Sequence, residues 1–414
     1  MLFSPLLSYV TLGLWGLRSI TYYFTLFTVF YGIVFILINN KTIKFPRLLY
    51  LLIFYSIFQT IWSFWNGGLE RRGLLEIIIN REFTSIIFII IIIYNTNFNK
   101  RFIDRCISMI KVTVILAAIV SLIQVLDYSF MDASPSWGSK AGVNMLDNLY
   151  TARRTSIFGF VDRNEIGLSF IPLLSVLIGV LLFQRNRVYY IYLLLGAIIA
   201  FLSNTRYVMI ALLLITFQLL VVQRVKIKDL TKYVFIIFIS GFLLLRIISY
   251  LGYDFNDWYN VRLFSEGSIK ETTRYKAINN FLIFFPQSPI FGFGGVTDEI
   301  TDASHAIGSS QIHVGYLAHL VYYGIIGSFF LFSFWFLLAK KLYKTAKKSN
   351  YWGSLFAFLT FLWANATLVY FSIFFYGIVF ALVFDQWYSN NCCSKFEPAK
   401  HQLVKKDNSP FYLN

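Results

Sequence analysis

LVYYGIIGSFFLFSFWFLLAKKLYKTAKKSN, residues 320–350, decides the fold: an apolar run ends abruptly in Lys340, Lys341, Lys344, Lys347 and Lys348. The same punctuation recurs along the chain. Further basic clusters stand at Lys41/Lys44/Arg47, Lys100/Arg101/Arg105, Arg185/Arg187 and Arg224/Lys226/Lys228/Lys232, at alternate gaps between long apolar stretches. A basic tail follows, with Lys395, Lys400, Lys405 and Lys406. Lys and Arg collect in short loops that stay in the cytoplasm, because carrying them across a bilayer is disfavoured. The alternation therefore predicts an all-α polytopic membrane protein whose other gaps lie outside. Two of those outward gaps are long, residues 127–164 and 251–312.

Composition agrees. The chain is 57% hydrophobic, 20% aromatic and 14% charged, with mean hydropathy +0.65, which excludes an ordinary soluble domain or a disordered chain. A net charge of +16 would suggest nucleic acid if it sat on one soluble face. Here more than half of the 36 Lys and Arg fall in the presumed cytoplasmic segments, so topology and contact with anionic lipid head groups account for them. Cys106 sits near the cytoplasmic end of an expected helix, and Cys392 and Cys393 are in the tail, so no disulfide is expected. The opening MLFSPLLSYV lacks the basic region and small-residue cleavage site of a removable signal peptide and reads as part of the mature protein.

A helix needs about 20 apolar residues to cross the hydrocarbon core. Spans are expected at 20–38, 48–65, 74–94, 102–126, 165–183, 188–203, 205–222, 232–250, 313–338, 351–368 and 370–388, with a shorter one at 3–17. Counting that first segment gives about 12 transmembrane helices and puts both termini and every basic cluster on one side. The expected organisation is one integral membrane domain over 1–414, with outward loops at 127–164 and 251–312 and a cytoplasmic tail at 389–414. The run FTSIIFIIIIIY at 83–94 is too short to span alone, so its helix must begin earlier and carry Glu76, Arg81 and Glu82 into the outer half of the bilayer. Ionisable groups at that depth cost about 2.5–3.5 kcal/mol each unless paired or facing a wet cavity.

Three stretches near the outer face carry chemically capable residues. The first is Arg153-Arg154-Thr155-Ser156-Ile157-Phe158-Gly159-Phe160-Val161-Asp162-Arg163-Asn164-Glu165. Asp162 and Glu165 fit a helix capping box, which leaves the paired arginines unexplained. Arginine suits phosphate because its planar fork bonds two oxygens at once. In the second, Ser203-Asn204-Thr205-Arg206, the arginine opens a span on the side where basic residues are disfavoured; a head-group contact and a functional role both fit it. The third is the 251–312 segment with the start of the next span. It holds Arg274, then Pro289, Gly292, Gly294 and Gly295, then His313. The glycines permit positive φ and close approach of backbone N–H groups to a ligand, or simply a turn. His313 fits either a polar helix cap or a general acid or base. No H-E-x-x-H, D-x-D or Walker-type loop occurs, so neither metal nor nucleotide cofactor is expected.

Taken together these stretches resemble the O-antigen polymerase and O-antigen ligase superfamily. Arg154, Gly159, Phe160 and Asn164 match its first motif, and Ser203 to Arg206 its second. Arg274, Pro289, Gly292 and Gly294 match the third, and His313, Tyr316, Leu317, Gly324 and Gly327 the last. Two positions depart from the pattern: Val314 stands for the usual asparagine and Thr273 for the usual glycine.

The resemblance implies a GT-C-like, multi-pass membrane glycosyltransferase at the periplasmic face of the bacterial inner membrane. Its substrate would be a glycan on undecaprenyl pyrophosphate, handled without metal and with inversion. It assigns catalysis to Arg206, Arg274 and His313, and substrate binding to Arg154, Asn164, Gly292 and Gly294. It also implies a chain-length regulator protein as a partner; the placement of the basic clusters adds membrane lipids and leaves out nucleic acid. Loop charge favours a polymerase over a ligase. A ligase must dock a phosphorylated lipid A–core acceptor, whereas the 251–312 loop has more Asp and Glu than Lys and Arg, and the 127–164 loop is neutral. A lipid-linked sugar flippase is the alternative from another class, although transporters usually carry internal repeats and charged groups near the midplane.

Overall fold

The computed structural model describes residues 20–39, 43–66, 84–126, 130, 169–203, 206–223, 273–294, 312, 314–366 and 376–395, with single positions at 231, 235, 239, 242, 246 and 250. Among the described residues the chain forms eleven α-helices, one 3-10 turn and no strand. In order these are α1 Ile20–Asn39, α2 Arg47–Trp65, α3 Thr84–Asn95, α4 Lys100–Leu126, α5 Ile171–Phe183, α6 Tyr189–Leu202 and α7 Arg206–Gln223. After them come α8 Thr273–Phe284 with its 3-10 extension Phe285–Gln287, then α9 Gly315–Ser349, α10 Gly353–Asn365 and α11 Tyr376–Lys395.

Several boundaries differ from the sequence expectation. Helix α9 continues well past 338 through the whole lysine cluster. Lysine is a good helix former, and cationic side chains suit the negative end of the helix dipole. Asn350, with a left-handed φ of 61°, then ends it. Helix α11 runs on to Lys395, so residues 389–395 are helix rather than tail. The 251–312 segment contains the helix α8. The first part of the 74–94 span, the 3–17 segment and nearly all of 127–164 lie outside the described residues.

Helix α5 is the centre of the bundle. Its sequence IPLLSVLIGVLLF has no polar face, and every residue from Ile171 to Leu182 is buried. It packs against α10, α11, α6, α7 and α4. Apolar side chains alone do not drive helices together in lipid, where the tails are as apolar as leucine; small residues and interhelical hydrogen bonds do. Both occur here. Gly179 on α5 meets Gly353 at the start of α10 so closely that a Cβ on the former would strike the backbone of the latter. Beside them Ser175 Oγ donates to the Gly353 carbonyl (3.1 Å), and Gln218 Nε2 on α7 donates to Ser175 Oγ (2.6 Å).

The outside of the bundle is apolar too. Phe27, Ile38, Ile61, Trp65, Phe329 and Phe336 are each more than 60% exposed. Exposed apolar surface on this scale marks a membrane or protein contact rather than a solvated face. Helices Arg47–Trp65, Lys100–Gln124 and Gly315–Ser349 are long and apolar enough to cross a bilayer. The chain is a helical membrane protein.

Candidate functional site

Helix α9 breaks at Gly324, whose φ of 60° and ψ of −165° belong to no helix. A break in a buried helix bares peptide groups that cost several kcal/mol each if nothing meets them. The segment Pro289–Gly294, which follows α8, supplies the partners. The N–H groups of Phe293 and Gly294 donate to the carbonyls of Val321 (3.0 Å) and Tyr322 (2.7 Å). In the other direction the N–H groups of Ile325 and Ile326 donate to the carbonyls of Pro289 (2.9 Å) and Ile290 (3.1 Å). Residues 321/325 and 322/326 are the pairs an unbroken helix would join, so the turn stands in for the missing bonds.

This junction requires glycine. Gly292 has φ of 70°, and a Cβ there would lie 2.5 Å from the backbone nitrogens of Tyr323 and Gly324. A Cβ on Gly324 would strike the Ile290 carbonyl in return. The carbonyl of Gly292 accepts Trp62 Nε1 (3.0 Å) and Ser288 Oγ (2.9 Å), and that of Gly294 accepts Ser63 Oγ (2.7 Å). Gly292 and Gly294 thus join the turn to α9 and α2, with their carbonyls bonded to protein.

Helix α2 forms a polar seam with α9 below the turn. Tyr55 Oη pairs with His319 Nε2 at 2.6 Å, and His319 Nδ1 pairs with Ser328 Oγ at 3.0 Å. Gln59 Nε2 donates to Tyr323 Oη at 2.6 Å. His319 is fully buried among the rings of Tyr55, Tyr323 and Phe332. Sequence reasoning passed over this seam, yet its signal is there: Tyr55, Gln59, Trp62, Ser63 and Asn66 recur at helical spacing along an otherwise apolar span. Around the seam lies a small apolar cluster of Ala277, Phe284, Ile312, Ala318, Val321, Tyr322 and Tyr323, separate from the main core. It is what fixes α8 against α9.

The expected site residues fall as follows. Arg206 is the first residue of α7 and Arg274 the second of α8; only their backbones are described. Arg154, Asn164 and His313 lie outside the described residues, His313 between buried Ile312 and the N-cap Val314. The starts of α7, α8 and α9 share one end of the bundle. Trp363 Nε1 near the end of α10 donates to the Tyr207 carbonyl (3.1 Å), next to Arg206. Tyr316 Oη, just after His313, donates to the Leu362 carbonyl (2.6 Å). Ala277, one turn after Arg274, belongs to the same cluster as Ile312. Among the described residues no three His, Cys, Asp or Glu side chains gather as a metal would need.

Residues 191–332 match the family model of the O-antigen ligase domain. The matched range runs from α6 into α9 and takes in Arg206, Arg274, the glycine turn, His313 and the break at Gly324. It supports the O-antigen ligase and polymerase superfamily for this chain, whose members are membrane enzymes of O-antigen and related glycan biosynthesis. It lends nothing to the flippase alternative. No curated protein matches the chain.

Proposed function

We propose that the chain is a polymerase of polyprenyl-pyrophosphate-linked oligosaccharide repeat units, working at the outer face of the bacterial inner membrane. The family match across 191–332 supports a membrane enzyme of O-antigen or related glycan biosynthesis and takes in Arg206, Arg274, His313 and the clamped turn; the acidic balance of the 251–312 loop favours the polymerase. About twelve spans and cytoplasmic termini would place that end of the bundle outward. A chain-length regulator protein would be a partner there.

In the reaction an acceptor hydroxyl attacks the anomeric carbon of the donor glycan from the face opposite the pyrophosphate. The new C–O bond forms as the C–O bond to pyrophosphate breaks, which inverts the centre. His313 takes the hydroxyl proton, and the departing pyrophosphate keeps the electron pair. Its growing negative charge falls to Arg206 and Arg274, whose cations need no metal to stabilise it. Arg154 and Asn164 orient the substrate. Gly292 and Gly294 hold the turn against α9, and so position α8 and its arginine.

Replacing Arg206 or Arg274 by Ala should lower product formation about 10²–10³-fold at normal protein level, the usual effect of losing one such electrostatic contact. Lysine should rescue poorly, because an ammonium lacks the bidentate fork. Activity at wild-type level in both alanine variants would remove these residues from the mechanism.

Ligation to lipid A–core is the second reading, favoured by the description of the matching family model. The excess of Asp and Glu in the 251–312 loop argues for polymerisation. Deleting the gene separates the two. Loss of a polymerase leaves lipid A–core bearing a single repeat unit. Loss of a ligase leaves bare core, with full-length polymer stranded on the carrier.

A further inference from the structure

The lysines that end α9 divide into two groups. Lys341 turns into the bundle, where its Nζ lies 3.7 Å from Asp385 on α11 and 3.1 Å from the centre of the Tyr94 ring. Lys340, Lys344, Lys347 and Lys348 are exposed and share one face of the helix. They line an open groove of about 810 Å³ between α9 and α10. Its remaining wall is apolar apart from the Tyr343 hydroxyl, with Phe336, Ala339 and Tyr343 on α9 and Leu355 and Leu359 on α10. Among the described residues no carboxylate lines it.

Membrane topology asks only that positive charge lie near one end of a span. It does not ask for a concave surface where lysines face leucines. From Phe336 to Lys348 the lining changes from apolar to cationic over roughly 18 Å of helix, at about 1.5 Å per residue. That gradient is the polarity of an amphiphile lying along the helix, head group outermost. A free anion would leave the apolar wall wet, and a zwitterionic head group would bring its own ammonium among the lysines. The Lys341–Asp385 pair ties α9 to α11.

We propose that this groove binds an anionic phospholipid, its phosphate among Lys344, Lys347 and Lys348 and an acyl chain along Phe336, Leu355 and Leu359. The site lies at the opposite end of α9 from His313 and stands independently of the glycan chemistry.

The test is native mass spectrometry of the full-length protein in detergent, titrated with phosphatidylglycerol, with phosphatidylcholine and with glycerol 3-phosphate. Phosphatidylglycerol should be retained about tenfold more tightly than phosphatidylcholine, given the attraction of several lysines for an anionic head group. Glycerol 3-phosphate should not be retained. The triple variant Lys344→Glu, Lys347→Glu, Lys348→Glu should lose the preference. The triple variant Lys100→Glu, Arg101→Glu, Arg105→Glu, at the start of α4, should keep it. Leu359→Trp fills the apolar wall without touching charge and should weaken phosphatidylglycerol alone. Equal retention of the two lipids, equal loss in both triple variants, full retention in Leu359→Trp, or tight binding of glycerol 3-phosphate would each overturn the proposal.

Discussion

Replacing His319 by Leu takes a ring nitrogen away from Tyr55 Oη and another from Ser328 Oγ, deep in the seam between α2 and α9. Losing the partner of a buried polar group costs about 1–3 kcal/mol, so the thermal midpoint should fall clearly. His313→Ala should do the reverse, slowing turnover while the midpoint holds, because its proposed work is proton transfer. Comparable drops in midpoint for both variants would argue that His313 is structural. Gly324 is the other position where one atom matters. Its φ of 60° with ψ of −165° lies in a region essentially reserved for glycine, and strain there costs about 1–3 kcal/mol. In Gly324→Ala the clash with the Ile290 carbonyl adds to that strain. An unchanged melting curve for Gly324→Ala would mean that the break does not depend on glycine.

The turn Pro289–Gly294 acts through its backbone, which makes an unusual mutational signature. Phe293→Leu keeps the N–H that meets the Val321 carbonyl and should be tolerated. Phe293→Pro removes that N–H and should both destabilise the protein and abolish activity by freeing α8 from α9. Purified protein of each variant, compared by melting and by glycan product, decides between backbone and side-chain control. The described helices were plain from the sequence, since apolar runs between basic clusters leave little else to form. The break was not. Gly315, Gly324 and Gly327 all fall in one apolar run, and nothing local distinguishes the glycine that bends from those that merely pack. The polar seam of Tyr55, Gln59 and Ser63 was legible but overlooked, because each residue alone is unremarkable in a membrane helix. The motifs for Arg206, Arg274 and His313 marked helix entrances rather than contacts. The pairing of Trp363 with Tyr207 and of Tyr316 with Leu362 joins α7 and α9 to α10 at one end.

For the molecule as a whole, the alternation of basic clusters predicts which end faces which compartment. Reporter fusions at Ser136 and Ser304 should behave as exported, and one at Lys344 as cytoplasmic. A cytoplasmic signal at Ser304 would invert the proposed site and leave it without access to periplasmic substrate. The lysine groove would then face outward as well, so one experiment orients both ends of α9. The exchange of hydrogen bonds at Gly324 also bears on how such a molecule is made. The turn is translated before the helix it enters, so the donors and acceptors needed at the break already exist when α9 leaves the ribosome. Until they meet, α9 can insert as one straight rod with its own bonds closed; docking then trades those bonds for others without baring a peptide group to lipid.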